Sequence, residues 1–218
     1  MLLLAVPTVT SMQEMLSEYR SQQQALSLYQ RHAYSEAETA FRQLLPTLKT
    51  NEDKRAASYN LACTLYMQGN YKEAAPLFSL VSQSANDKRS VRSNALFNEG
   101  NTLAMQAFNN SSKADKRLLF SQSLKRFRQV LLTNPNDNDA KINYEIVERS
   151  LQELEQPRPT ATNASIAQQK NRQQPSAISS DVAKRLLEHA QNNESALMRQ
   201  LSQQNQKSKQ PPRNNKDW

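Results

Sequence analysis

The 218-residue chain is poor in the residues that most catalytic scaffolds are built from. It has 2 Gly, 2 His, 1 Cys and 1 Trp. Two glycines cannot line a phosphate-cradling loop, and one cysteine with two histidines cannot form a multi-ligand zinc site or a disulfide framework. No catalytic residue, metal ligand or cofactor is expected. There is also no long hydrophobic run. Met1–Val6 is apolar but is closed by Pro7, far short of the roughly 20 residues that span a bilayer. It has neither the basic n-region nor the longer apolar core of a secretory signal. Residues 1–14 read as an N-terminal apolar segment, either the remnant of a membrane or signal segment or a short buried or disordered start.

What is present is polar and helix-forming. Hydrophobic residues make up 37%, charged residues 22%, and mean hydropathy is −0.81, so Gln and Asn carry much of the remainder. The net charge of +8 is unevenly placed. Residues 1–156 hold 18 Lys and Arg against 16 Asp and Glu, while residues 157–218 hold 10 against 4. The tail therefore carries +6 and is expected to meet anionic surfaces. It has no dense Lys/Arg cluster, so specific nucleic-acid binding is not expected.

From Met12 onward apolar residues return at helical spacing, and two stretches align. Ala33-Tyr34-Ser35-Glu36-Ala37 leads to Phe41; Asn70-Tyr71-Lys72-Glu73-Ala74 leads to Phe78. Tyr34 with Tyr71, Ala37 with Ala74 and Phe41 with Phe78 are each displaced by 37 residues. Small residues at such positions let helices cross closely. Gly69 ends the helix before the second stretch, where a residue without Cβ takes a left-handed cap at no cost. His32 stands where that glycine would fall in the first copy and is expected to be a turn residue contacting mainly water. Pro76 is expected early in its helix, where a missing N–H is harmless. Asp137 or Asn138, after Pro135, is a candidate N-cap.

These residues resemble the tetratricopeptide repeat family, whose unit is two antiparallel helices. Leu61, Ala62, Leu65, Gly69, Tyr71, Ala74 and Phe78 carry the likeness in residues 55–88. Ala25, Leu28, Tyr34, Ala37 and Phe41 carry it in 18–51. A third copy, 93–137, holds Gly100, Phe127 and Pro135, with an insertion of about 11 residues around Asn109–Asp115 and a second helix resuming at Ser123. A capping helix follows at 139–154. The resemblance implies an all-α, right-handed solenoid of about three to three and a half helix pairs over residues 15–155.

In the family the first helices of successive pairs line a concave face that binds partners. The matching positions are Tyr19, Gln22, Leu26 and Tyr29; Tyr59, Cys63, Tyr66 and Met67; Asn94, Phe97, Asn101 and Met105; then Ile142, Ile146 and Arg149. Tyr29, Tyr59, Tyr66 and Phe97 are the expected aromatic anchors. The competing reading is that half of this set only packs against neighbouring helices. Asn60, Asn98 and Asn101 echo a carboxylate clamp, but Phe97 stands where its lysine would be. Cys63, His32 and His189 have no acid, base or nucleophile at a useful spacing and are expected to be structural.

Beyond Glu155 the composition shifts. Residues 156–180 read as a disordered linker and 181–201 as a short amphipathic helix with Val182, Leu186, Leu187, Ala190, Leu197 and Leu201 on its apolar side. Residues 202–218 read as a disordered basic tail ending in Trp218. Three stretches resemble repeat-containing members of the bacterial Bat, or aerotolerance-operon, proteins. They are Asn134-Pro135-Asn136-Asp137 with Asp139–Glu145; Ala183-Lys184-Arg185-Leu186-Leu187 with Asn193-Glu194; and Lys216-Asp217-Trp218. That resemblance implies a scaffold on the periplasmic side of the inner membrane, working with membrane-attached von Willebrand factor A domain proteins and an ATPase. The chain lacks that domain's DxSxS metal motif. The alternative is a soluble cytoplasmic adaptor or co-chaperone.

Overall fold

The structure, a computed structural model, describes residues 9–83 and 89–156. The apolar run Met1–Val6, nearly all of the expected linker, the expected helix at 181–201 and the basic tail lie outside the described residues. Within them the chain is all helix: α1 (Val9–Gln30), α2 (Tyr34–Leu44), α3 (Asn51–Met67), α4 (Tyr71–Ser82), α5 (Arg89–Phe108), α6 (Lys113–Thr133) and α7 (Asn138–Glu155). None of these is long and apolar enough to cross a membrane. α1 begins at Val9, so residues 9–14, expected to lie outside the repeats, are its first turns.

Three helix starts, those of α3, α6 and α7, are capped by a local polar side chain. Thr50 accepts from the Asp53 amide at 3.0 Å and donates to the Asp53 carboxylate at 2.7 Å. Ser112 accepts from the Asp115 amide at 3.3 Å, and Asp137, the expected cap, from that of Ala140 at 3.0 Å. Each satisfies an orphan donor of the first turn. α3 ends in a Schellman motif: the Gly69 amide bonds to the Tyr66 carbonyl and the Asn70 amide to that of Leu65, both at 2.9 Å, with Gly69 at φ +78°.

The first pair repeats this geometry without a glycine. The His32 amide bonds to the Tyr29 carbonyl at 2.9 Å and the Ala33 amide to that of Leu28 at 3.0 Å. His32 itself sits at φ +61°, a conformation that costs an L-residue roughly 1–2 kcal/mol. It is exposed as expected, but it does not merely face water: its Nδ1 shares a 2.6 Å hydrogen bond with the Tyr34 hydroxyl. Because that bond is exposed, removing it costs little. His32→Gly is therefore expected to stabilise the protein by about 1 kcal/mol, read as a higher urea midpoint at unchanged slope. A lower midpoint would show the ring contact outweighing the backbone strain.

Successive helices pack in order, and α1 with α3, α3 with α5 and α5 with α7 also touch. Odd-numbered helices thus form one layer and even-numbered helices the other, with α7 starting an unfinished fourth pair. Ala25, Ala37, Ala62 and Ala74 are fully buried at the crossings, and Phe41, Phe78 and Phe127 fill the wedges between pairs. At Gly100 an added Cβ would lie 2.7 Å from Phe127 Cε1. Ring pairs recur at the turns, Tyr29 with Tyr34 at 5.4 Å and Tyr66 with Tyr71 at 5.3 Å between centroids, in the edge-to-face geometry that aromatics prefer.

Two expectations are corrected. The extra residues of the third pair do not form a loop. Only residues 109–112 connect α5 to α6, and the surplus lengthens both helices, to 20 and 21 residues against 17 and 12 in the second pair. Phe120, the eighth residue of α6, packs on Phe108 with ring centroids 5.0 Å apart, which holds the added turns together. Pro76 is the sixth residue of α4, past the first turn. It therefore leaves the Lys72 carbonyl without its helical donor. That carbonyl's residue and Pro76 border an outer-face cleft of about 570 Å³, walled by Leu45, Leu61, Leu65 and Leu77.

Candidate protein-binding face

The layer of α1, α3, α5 and α7 carries every residue expected to contact a partner, but it presents them differently. Tyr19, Leu26, Met67, Asn94 and Ile146 are half-buried, and Ile142 and Arg149 are exposed. Tyr29, Tyr59, Tyr66, Phe97, Asn101 and Met105 are buried, as are Gln22 and Cys63. The four aromatic anchors turn their rings to the other layer. Tyr59 meets Phe78 at 5.5 Å and Phe97 meets Phe127 at 5.8 Å, while Tyr29 and Tyr66 form the turn pairs above. Each of the four thus packs on a ring of the other layer, as the competing reading has it. An aromatic ring gains most from a dry edge-to-face neighbour, and the facing helix supplies one. Helical spacing alone does not distinguish that neighbour from a partner.

Between these rings runs a row of side-chain amides, one or more from each inner helix: Gln22 on α1, Asn60 on α3, Asn98 and Asn101 on α5, and Asn143 on α7. All are buried. Two links tie the helices together. Asn98 Nδ2 donates to the Tyr59 hydroxyl at 2.7 Å, and Asn143 Nδ2 donates to Asn101 Oδ1 at 2.8 Å. Among the described residues Gln22 Oε1, Asn60 Oδ1 and Asn101 Nδ2 are shielded from solvent with no hydrogen-bond partner. A buried amide left unsatisfied costs about 1–3 kcal/mol, so a row of them is retained against stability. Asn60 and Asn98, each two residues before the small residue of its helix crossing, were visible in the sequence; the roles of Gln22 and Asn143 were not.

Where α4, α5 and α6 meet, Glu99 is 4% exposed. Its carboxylate pairs with Arg126 Nε at 2.9 Å and accepts from Ser82 Oγ at 3.3 Å. Burial pushes the Glu99 carboxyl above the usual range, and the Arg126 charge and the hydroxyl bonds pull it part of the way back. Beside it Ser123 Oγ donates to the Gly100 carbonyl at 2.7 Å, at the point where α5 and α6 come closest. This cluster joins three helices through side-chain bonds. Among the described residues no three His, Cys, Asp or Glu side chains gather to hold a metal. Phe97, at the position where a clamp lysine would be expected, packs inward on Phe127.

No curated protein and no solved structure matches the chain. The tetratricopeptide repeat family model matches residues 59–82, from Tyr59 on α3 to the last residue of α4. That stretch includes the Schellman turn, the Ala62 and Ala74 crossing and the Tyr59–Phe78 ring pair. That stretch of α3 and α4 is thus similar to a tetratricopeptide repeat, and the described residues form an all-α solenoid of stacked helix pairs.

Proposed function

We propose that the protein is a non-catalytic scaffold that holds a segment of a partner protein along its inner face. Tetratricopeptide repeats point to protein–protein interaction, and the amide row is the observation that carries the reading to this face. Two unfilled acceptors and one unfilled donor on three successive helices match the alternating N–H and C=O groups of a peptide main chain. The half-buried Tyr19, Leu26 and Met67 beside them supply the apolar contact.

In its finer form the proposal takes the partners to be membrane-attached von Willebrand factor A domain proteins working with an ATPase. The site of assembly would be the periplasmic side of a bacterial inner membrane. What supports this is the residue likeness at Asn134–Glu145, Ala183–Leu187 and Lys216–Trp218. The experiment is site-specific photo-crosslinking in cells. A photoreactive residue at Tyr19 or Met67 is expected to capture a von Willebrand factor A domain protein, and one at the outward Leu80 or Leu132 is not. Capture of a chaperone tail from the cytoplasm would replace the finer reading with the adaptor role. Equal capture from both faces would remove the inner face as the site.

A further inference from the structure

An inner helix of a two-layer stack has neighbours in both layers and one remaining side, turned to the groove. α3 packs on α2 and α4 and touches α1 and α5, so its groove side should expose a residue at every third or fourth position. Residues 57–66 are instead buried without a break, and so are residues 95–105 of α5. Each run is about three turns long, so no side of either helix is open. Tyr19, Tyr29, Tyr59, Cys63 and Tyr66, all at inner-face positions, are engaged in interactions beyond the ring pairs and hydrogen bonds described above. The extensive pairings of the described helices are between successive or alternate ones, and none crosses the groove.

We propose that residues 182–201 of the same chain lie in this groove as a helix, and that a partner must displace them. This rests on the inner face being the partner site. Val182, Leu186, Ala190, Leu197 and Leu201 fall within about 100° of one another at helical spacing, opposite Lys184, Glu188 and Arg199. Asn193 also falls within that stripe by sequence position. Twenty residues make a helix of about 30 Å. Four inner helices at about 10 Å spacing span a similar distance. The 25 residues from 157 to 181 reach up to about 80 Å, enough to return from the end of α7. The N-terminal run is too short. Eight residues before Val9 reach about 28 Å, and the return along α1 to Tyr19 alone takes about 15 Å, leaving α5 uncovered.

Cys63 is the chain's only cysteine, 1% exposed on the groove side, and reports the cover directly. In the full-length protein, Leu186→Glu with Leu197→Glu is expected to speed maleimide modification of Cys63 at least tenfold at an unchanged urea midpoint. A synthetic peptide of residues 180–203 in excess should slow it again. A second measurement does not depend on the midpoint. Single cysteines placed at Ala190, Asn193 and Leu197 are oxidised against Cys63, with Glu188→Cys as the outward control. A disulfide from at least one of the first three and none from the control is expected, since the bond forms only at Cα separations below about 7 Å. Unchanged labelling with no cross-link from any of the three overturns the proposal, as does acceleration from Leu2→Glu with Leu3→Glu instead, which would put the N-terminal run in the groove. Cross-links in the chain without partner capture at Tyr19 or Met67 would leave the cover standing and remove the binding reading.

Discussion

Arg126→Leu is expected to destabilise the protein by about 3 kcal/mol at pH 8 and by clearly less near pH 5. Among the described residues the arginine is the cation paired with Glu99, and Glu99 is almost fully buried at the junction of α4, α5 and α6. Removing one member of a buried pair leaves the other charge uncompensated, typically at 3–5 kcal/mol; Arg126 is partly exposed, which favours the lower end. The pH dependence follows from the direction of the Glu99 shift. Burial holds its folded-state pKa above the unfolded value, so the folded state binds more protons between the two, and stability falls as pH rises through that window. Without Arg126 the window widens upward, so acid restores stability by protonating the carboxyl. Urea titrations of both proteins at about pH 5, 6, 7 and 8 read this directly. A loss independent of pH would assign the effect to packing of the arginine stem instead.

Gly100→Val should cost about as much, for a reason unrelated to charge. Its Cβ would meet three ring atoms of Phe127 at 2.7–3.0 Å, inside van der Waals contact, and Phe127 is fully buried with its other side against the core. Overpacking of this kind costs roughly 1–3 kcal/mol or more when nothing can give way. Phe127→Leu alone removes buried area and also destabilises, by about 1–2 kcal/mol. Combined with Gly100→Val it should lose less than the sum of the two, because the leucine vacates the space that valine needs. Gly69→Val is the contrast. Nothing lies within 4 Å of its Cβ position, but φ is +78°, so the cost there is backbone strain of roughly 1–2 kcal/mol that no neighbouring substitution relieves. Additive losses at Gly100 and Phe127 would mean that α5 and α6 move apart rather than clash.

The two-layer architecture was legible because close crossings need small residues and wedges need rings. Ala37, Ala74, Phe41 and Phe78 therefore repeat at one displacement however the surface varies. The left-handed turn was legible at Gly69 but hidden at His32, where the same backbone is held by a residue that seldom adopts it. The lengths of α5 and α6 were not legible. Asn109, Asn110, Ser111 and Ser112 do form the turn, but the Lys- and Asp-containing stretch after them has the composition of a loop and of a solvated helix alike. The Phe108–Phe120 contact that decides between them is a tertiary one. The groove was legible as a set of positions, but not which of them pack on the other layer. Periodicity marks which side of a helix is buried without naming what buries it, and the Asn98–Tyr59 and Asn143–Asn101 links join residues 39 and 42 apart that no repeat relates.

The uneven pairs bear on how the chain acquires its fold. In a stack where each hairpin touches mainly its neighbours, structure spreads outward from the unit most stable alone. Here that unit is α5–α6, the pair with the greatest combined length, with a side-chain cap at Ser112, the Phe108–Phe120 ring pair and the Gly100 contact. α1–α2 has a strained turn, and α4 has an interrupted helix. A ribosome delivers these two weaker hairpins first, with their crossing faces uncovered. They must wait until about residue 133 has emerged before the hairpin able to template them exists. For α1–α4 synthesis and assembly thus run in opposite directions, and that delay is when their apolar faces are most open to wrong associations.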